Sequence, residues 1–253
     1  MIKHFCVRAN INHRRAGNVQ TSNPALSIFL TVIFFAGAST IVQAGRPLTV
    51  DDAGTDDAKA GHVEIWLDRQ GNTDVWNFAP TYAPATGLEI SIPYAQQRSK
   101  INGSTEITKQ IGVSLKWVPF QHEYGWSAGA SATILRNSPL DGAFGKVTVL
   151  NSIFTYGFMD ESAMHLNVGS QKNGSAKANT TWGIAYERSI GGFNAHIETF
   201  GAAESKPTTQ IGLRYVITRS VQIDGTIGRA TVGCERGGNV VKNIGSIGLK
   251  FDF

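Results

Sequence analysis

Four carboxylates, Asp51, Asp52, Asp56 and Asp57, fall between positions 51 and 57 of a 253-residue chain. Such a density could chelate calcium, but the spacing does not follow the alternating ligands of an EF-hand loop. An acidic, solvated turn is the simpler account. A second set, His165 and His196 with Ser152 and Glu198 in the same region, holds the residue types of a hydrolytic nucleophile, base and orienting acid. Nothing in the sequence fixes their mutual geometry, and alternation alone would generate polar residues at such positions. No Cys/His spacing matches a zinc site, so neither a catalytic centre nor a metal or other cofactor is expected.

The elements that carry these residues repeat every two positions. The last of them, GSIGLKFDF, puts Ile247, Leu249, Phe251 and Phe253 on one parity and Ser246, Gly248, Lys250 and Asp252 on the other. One face meets an apolar phase and the other a wet one, and the chain stops on an aromatic residue, as outer-membrane barrels do. Twelve such segments run at roughly 62–69, 73–84, 87–97, 105–118, 125–135, 146–158, 163–170, 180–188, 192–200, 208–217, 220–230 and 244–253. The connections after the even-numbered segments are tight and most of the others are longer and polar, the alternation expected of periplasmic turns and outer loops. The short connection near Gly71 departs from it. The fold class that follows is an all-β, antiparallel, up-and-down transmembrane barrel of twelve strands over 62–253.

Parity assigns the faces. Ile111, Val113, Leu115 and Trp117 are expected to meet lipid and Gln110, Gly112, Ser114 and Lys116 the lumen; Ile211, Leu213 and Tyr215 oppose Gln210, Gly212 and Arg214 in the same way. The segment at 146–158 is apolar on both parities, and the first segment turns Trp66 inward; a one-residue slip would invert either. The inferred lumen holds Glu64, Asp68, Glu89, Glu187, Glu198, Asp224 and Asp252 against Lys116, Arg214 and Lys250, with His165, Asn167, Asn194 and His196 among them. Either these groups brace the wall as an ion-pair network or they line a conduit whose negative bias favours cations and neutral solutes. Small lumen residues such as Gly112, Gly129, Gly169, Gly183 and Gly212 would widen it or relieve crowding where the wall bends. About 8 strands leave a filled interior and about 16 an open channel, so twelve predict a narrow pore.

The apolar run at 26–38, LSIFLTVIFFAGA, follows Lys3, Arg8, Arg14 and Arg15 and precedes Val42-Gln43-Ala44, which reads as a signal peptide over 1–44. The chain has 23 basic and 19 acidic residues; removing those four basic residues leaves 19 of each. A near-neutral mature chain excludes the basic stripe of a nucleic-acid binder. Cys6 leaves with the leader and Cys234 stands alone, so no internal disulfide is expected. The partners expected are outer-membrane lipid and lipopolysaccharide, whose phosphates Lys109 and Arg229 could reach, and a small-molecule solute, with the barrel a monomer.

The segment at 45–61 contains Arg46-Pro47-Leu48, then Asp51-Asp52-Ala53 and Thr55, and Gly61 and Glu64 open the first strand. Pro80, Gly87-Leu88-Glu89, Pro93-Tyr94 and Leu115-Lys116 follow. In these residues the chain resembles the outer-membrane family named for the meta-pathway of phenol degradation, although Thr49 and Val50 stand in the opposite order from the expected Thr-Asp-Asp. The resemblance implies a barrel that passes small, often aromatic, compounds, and no chemistry of its own. The acidic segment, Asp51, Asp52, Asp56 and Asp57, is expected to tuck into the periplasmic mouth as a plug against Lys116, Arg214 or Lys250. A structural or adhesive barrel, and a barrel enzyme acting on lipid, are the alternatives.

Overall fold

Alternation of apolar and polar side chains leaves each strand with one face that water rejects, and a sheet of such strands hides its edges by closing on itself. The computed structural model describes residues 48–101, 103–138, 146–203, 205–233 and 239–253; the expected leader and both cysteines lie outside the described residues. The strands are β1 (Gly61–Gln70), β2 (Thr73–Ala85), β3 (Leu88–Ser91), β4 (Tyr94–Ile101), β5 (Ser104–Phe120), β6 (Gly125–Ser138), β7 (Lys146–Gly157), β8 (Ser162–Asn173), β9 (Asn179–Ile190), β10 (Phe193–Ala202), β11 (Thr208–Thr218), β12 (Val221–Gly233) and β13 (Asn239–Asp252).

Every strand pairs antiparallel with its neighbours, and β13 returns to pair with β1 from His62↔Asp252 to Gln70↔Ile244. β3 and β4 are two halves of one stave, since both lie between β2 and β5. Pro93, which has no N–H to donate, sits at the break, while Ile92 still donates to Pro80 and Gly112 donates to the Pro93 carbonyl. The architecture is therefore a closed antiparallel barrel of twelve staves. No helix among the described residues is long and apolar enough to cross a membrane.

The outer face is apolar. Ile111, Val113, Leu115 and Trp117 of β5, and Ile211, Leu213 and Tyr215 of β11, are exposed, while Gln210 and Arg214 are buried inside. The ambiguous strand resolves with Ile153 fully buried in the lumen and Leu150 and Phe154 outside. Trp66 stays inward, where its indole N–H donates to Asp68. Exposed Tyr82, Trp117, Trp126, Phe193, Tyr215 and Phe253 ring the end that carries the tight turns; Trp76 and Trp182 stand toward the opposite, loop end.

The loop end differs from expectation. β4 and β5 continue past the apolar band until only residues 102–103 separate them, and β8 and β9 extend to leave 174–178. Polar strand extensions have replaced part of the expected loops, because water on both faces removes the need for alternation there.

The lumen glycines do not widen the barrel. A side chain at Gly112 would overlap the carbonyl oxygen of Ile134, and one at Gly129 would come within 2.6 Å of the Trp117 carbonyl. These glycines admit the neighbouring backbone where the wall bends. Gly112→Val is predicted to reduce the fraction of protein that acquires the heat-modifiable, folded mobility in detergent gels, while substitution of the outward-facing Val113 by Ile leaves that fraction unchanged.

Candidate functional site

Residues ahead of β1 enter the barrel and form a strap across its lumen. Its backbone N–H groups find side-chain acceptors on the wall, because a single strand inside a closed barrel has no ladder to join. The N–H groups of Thr49 and Val50 donate to the Glu198 carboxylate at 2.8–2.9 Å. Asn167 reads Asp51 twice, accepting from its N–H at 2.7 Å and donating to its carbonyl at 2.7 Å. Ala53 donates to the Thr155 hydroxyl at 2.8 Å and Asp56 to Glu89 at 2.6 Å. Thus β10, β8, β7 and β3 each supply one anchor.

Apolar contacts seat the same segment. Ala53 packs with Val118 and Ile153 in a small buried cluster. Val50, 2% exposed, occupies the space left by Gly183, its Cγ2 lying 2.7 Å from where a Cβ would stand. The Gly212 vacancy is likewise filled by the His196 ring.

The charged side chains form three groups. Lys116 sits 2.8 Å from Asp52 and 3.6 Å from Asp51. Asp56 meets His62 Nδ1 at 2.6 Å and Lys250 at 3.9 Å, and Lys250 is 3.0 Å from Asp252. Away from the strap, Glu187 lies between Arg214 at 3.2 Å and His165 at 3.3 Å, with Asp224 facing Arg214 across the β11–β12 ladder. Asp68 accepts from Trp66 and Asn77, each at 2.9 Å.

Every expected lumen residue, Asp68, Glu89, Lys116, His165, Glu187, His196, Glu198, Arg214, Asp224, Lys250 and Asp252, therefore points inward. Asp51, Asp52 and Asp56 lie within the barrel, whereas Asp57 is exposed and its carbonyl accepts from Ala60 in the turn before β1. Arg214 pairs with Glu187 of the wall. Ser152 stands on the outer face with Leu150 and Phe154, so it never meets His165 or His196, and the hydrolytic set does not assemble. Thr49, Val50, Ala53 and Thr155 carry no charge, and nothing in the sequence marks them as strap contacts. Asp56, His62 and Asp252 offer three ligand atoms within 4.8 Å of one another. The Lys250 ammonium already supplies the cation for both carboxylates.

A cavity of about 510 Å³ remains on one side of the strap, bounded by Val50 and Asp52 and by Trp66, Asp68, Lys116 and Thr133 of the wall.

Breaking one partner of a buried ion pair leaves the other uncompensated, at a typical cost of about 3 kcal/mol. Asp52→Asn and Lys116→Met are each predicted to speed amide hydrogen exchange at residues 49–56. The double variant should be less affected than the sum of the two, with a coupling of about 1 kcal/mol. Burial pulls the Asp56 carboxyl upward, but the hydrogen bond with His62 and the charges of His62, Lys250 and Lys116 outweigh it, holding the group below its ordinary 3.8. A lowered carboxyl pKa favours the folded strap above the unfolded value and loses that contribution as pH falls through the folded one. The Asp56 contribution to strap protection, read as the difference between wild type and Asp56→Asn after correction for intrinsic exchange rates, should be present above about pH 4 and lost below it.

Solved structures share the architecture. The chain is similar to the KdgM porin, with TM-score 0.58, 9% identity, and coverage of 76% of this chain and 99% of that one. It is similar to the NanC porin, with TM-score 0.55, 9% identity, and coverage of 76% and 98%. It also resembles the COG4313 outer membrane channel from Pseudomonas putida F1, with TM-score 0.57, 9% identity, and coverage of 80% and 98%. No curated protein matches the chain by sequence. At such identities these structures speak for the fold alone. Residues 32–242 match one family throughout, and the chain belongs to it: the family described as uncharacterised conserved protein UCP029691.

Proposed function

We propose that the protein is an outer-membrane channel for small solutes, with the strap at 48–56 narrowing its periplasmic half. The observation that carries this reading is a closed barrel, apolar outside and polar inside, whose lumen is crossed by a segment that leaves a cavity of about 510 Å³. An apolar belt between aromatic rings suits a bilayer, and the tight turns and both barrel termini suit the periplasmic side. The similar structures are porins and a channel, which supports transport over catalysis.

The lumen chemistry bears on the solute. Lys116, Arg214 and Lys250 are each matched to carboxylates, so their positive charge is already answered. A KdgM porin has been solved in complex with oligogalacturonate, an acidic sugar; the paired lumen cations here leave little positive charge to hold such an anion. Beside the cavity, Asp68 is held by two neutral donors next to the indole of Trp66. Neutral or cationic solutes with an apolar face fit this wall, and aromatic compounds are the class the phenol-family resemblance implies.

In planar bilayers, removing residues 45–60 should raise single-channel conductance severalfold, with heat-modifiable migration confirming that the shortened barrel still folds. Equal conductance would refute the strap as constriction. In a potassium chloride gradient the full chain should show a reversal potential of cation selectivity, and Asp68→Asn should move it toward zero. Anion selectivity in the full chain would contradict the solute assignment.

A further inference from the structure

Outward-facing cations are gathered on one side of the loop end. Arg98 and Lys100 of β4, Lys109 of β5, Arg136 of β6, Lys146 of β7 and Lys172 of β8 are all exposed and share the outward parity of their strands. No Asp or Glu occupies an outward position of these five strands. At the loop end of β9 to β13 the outward strand positions hold one cation, Arg229, among the described residues.

Register makes the crowding close. Arg136 and Lys146 are direct cross-strand partners, an arrangement that destabilises a sheet when both charges have the same sign. Among the described residues, none of Lys109, Lys146 and Lys172 has a carboxylate within ion-pair distance. A polar crown placed just above an apolar belt is the height at which lipid phosphates lie.

Beneath this crown the same strands form a groove on the apolar face. Ala130 and Ala132 make its floor, and Leu115, Trp117, Leu150 and Val168 its walls, around a volume of about 510 Å³. Ala132 lies four positions below Arg136 on β6, and Leu150 four below Lys146 on β7. At about 3.3 Å per residue these two positions lie roughly 13 Å below Arg136 and Lys146, within reach of an acyl chain hung from a phosphate held above.

We propose that this face, over β4 to β8, is a binding site for a multi-acyl, phosphorylated glycolipid of the outer leaflet, the lipid A part of lipopolysaccharide. The cations hold its phosphates and the groove one of its chains. Charge complementarity selects the headgroup, and the depth between crown and groove selects a lipid over a free phosphate. The inference rests on the outer-membrane reading above, since it needs the loop end to face the outer leaflet, but not on what the lumen carries.

The test is native mass spectrometry of the full mature chain in detergent, titrated with bis-phosphorylated lipid A, with lipid A stripped of its phosphates, and with phosphatidylglycerol. The wild type should retain bis-phosphorylated lipid A at least tenfold more strongly than either of the others. The triple variant Lys109→Glu, Lys146→Glu, Lys172→Glu should lose that preference. Ala132→Phe, which fills the groove and leaves the charges, should weaken retention without abolishing the preference for phosphates. Equal retention by wild type and triple variant, or equal retention of all three lipids, would overturn the proposal. Heat-modifiable migration and bilayer conductance of the triple variant should match the wild type. Their loss would indict the barrel reading instead of the lipid site, and Lys109→Gln, Lys146→Gln, Lys172→Gln then repeats the comparison without charge reversal.

Discussion

Closure of β1 onto β13 is the constraint from which the other features descend. A twelve-stave sheet with free edges would expose two rows of unpaired N–H and C=O groups, and in a bilayer no water would satisfy them. The pairing that begins at His62↔Asp252 removes both rows. It also divides every residue between two environments by parity, and it fixes where the chain must enter. Gly61 exchanges hydrogen bonds with Phe253 at the seam, so the residues before it emerge beside the mouth and their shortest course is across the lumen.

Once inside, the strap meets a problem that hydrophobic burial alone would not solve. Its peptide groups leave water without gaining a sheet partner, and the wall answers with Glu198, Asn167, Thr155 and Glu89. Its carboxylates bring negative charge into an interior already rich in acids. Lys116 and Lys250 are placed where those carboxylates arrive. Ion pairs of this kind contribute little net stability against an apolar alternative, but each is costly to break from one side. They therefore hold the strap in one register rather than merely holding it.

Much of the barrel was legible in the sequence because period two is local and strict. The last strand alone, with Ile247, Leu249 and Phe251 against Ser246, Gly248 and Lys250, contains the rule for both faces. The inward positions of Glu187, Glu198 and Arg214 follow from the same rule applied strand by strand. The strand at Lys146–Gly157 resisted because Ile153, on its inner face, packs against the strap's Ala53, so both of its faces carry apolar side chains. The site was legible only as a list of inward charges. Which charges pair depends on contacts such as Val50 to Glu198, separated by 148 positions, and on the matching of Val50 to the space at Gly183. Local pattern carries no trace of either. Asp57, one residue past Asp56, falls in the turn outside the barrel, a distinction that density of carboxylates does not encode.

Residues ahead of β1 lie inside the barrel, with Val50 against Gly183 of β9. In a chain whose native Cys234 is replaced by Ser, Val50→Cys with Gly183→Cys brings two Cβ positions 3.6 Å apart, within the span that a disulfide bridges. Oxidation of the membrane-inserted protein should give near-complete intramolecular cross-linking, while Val50→Cys paired with Val113→Cys on the outer face should give none. Free thiols at 50 and 183 after oxidation, in a barrel that retains its heat-modifiable mobility, would contradict the account.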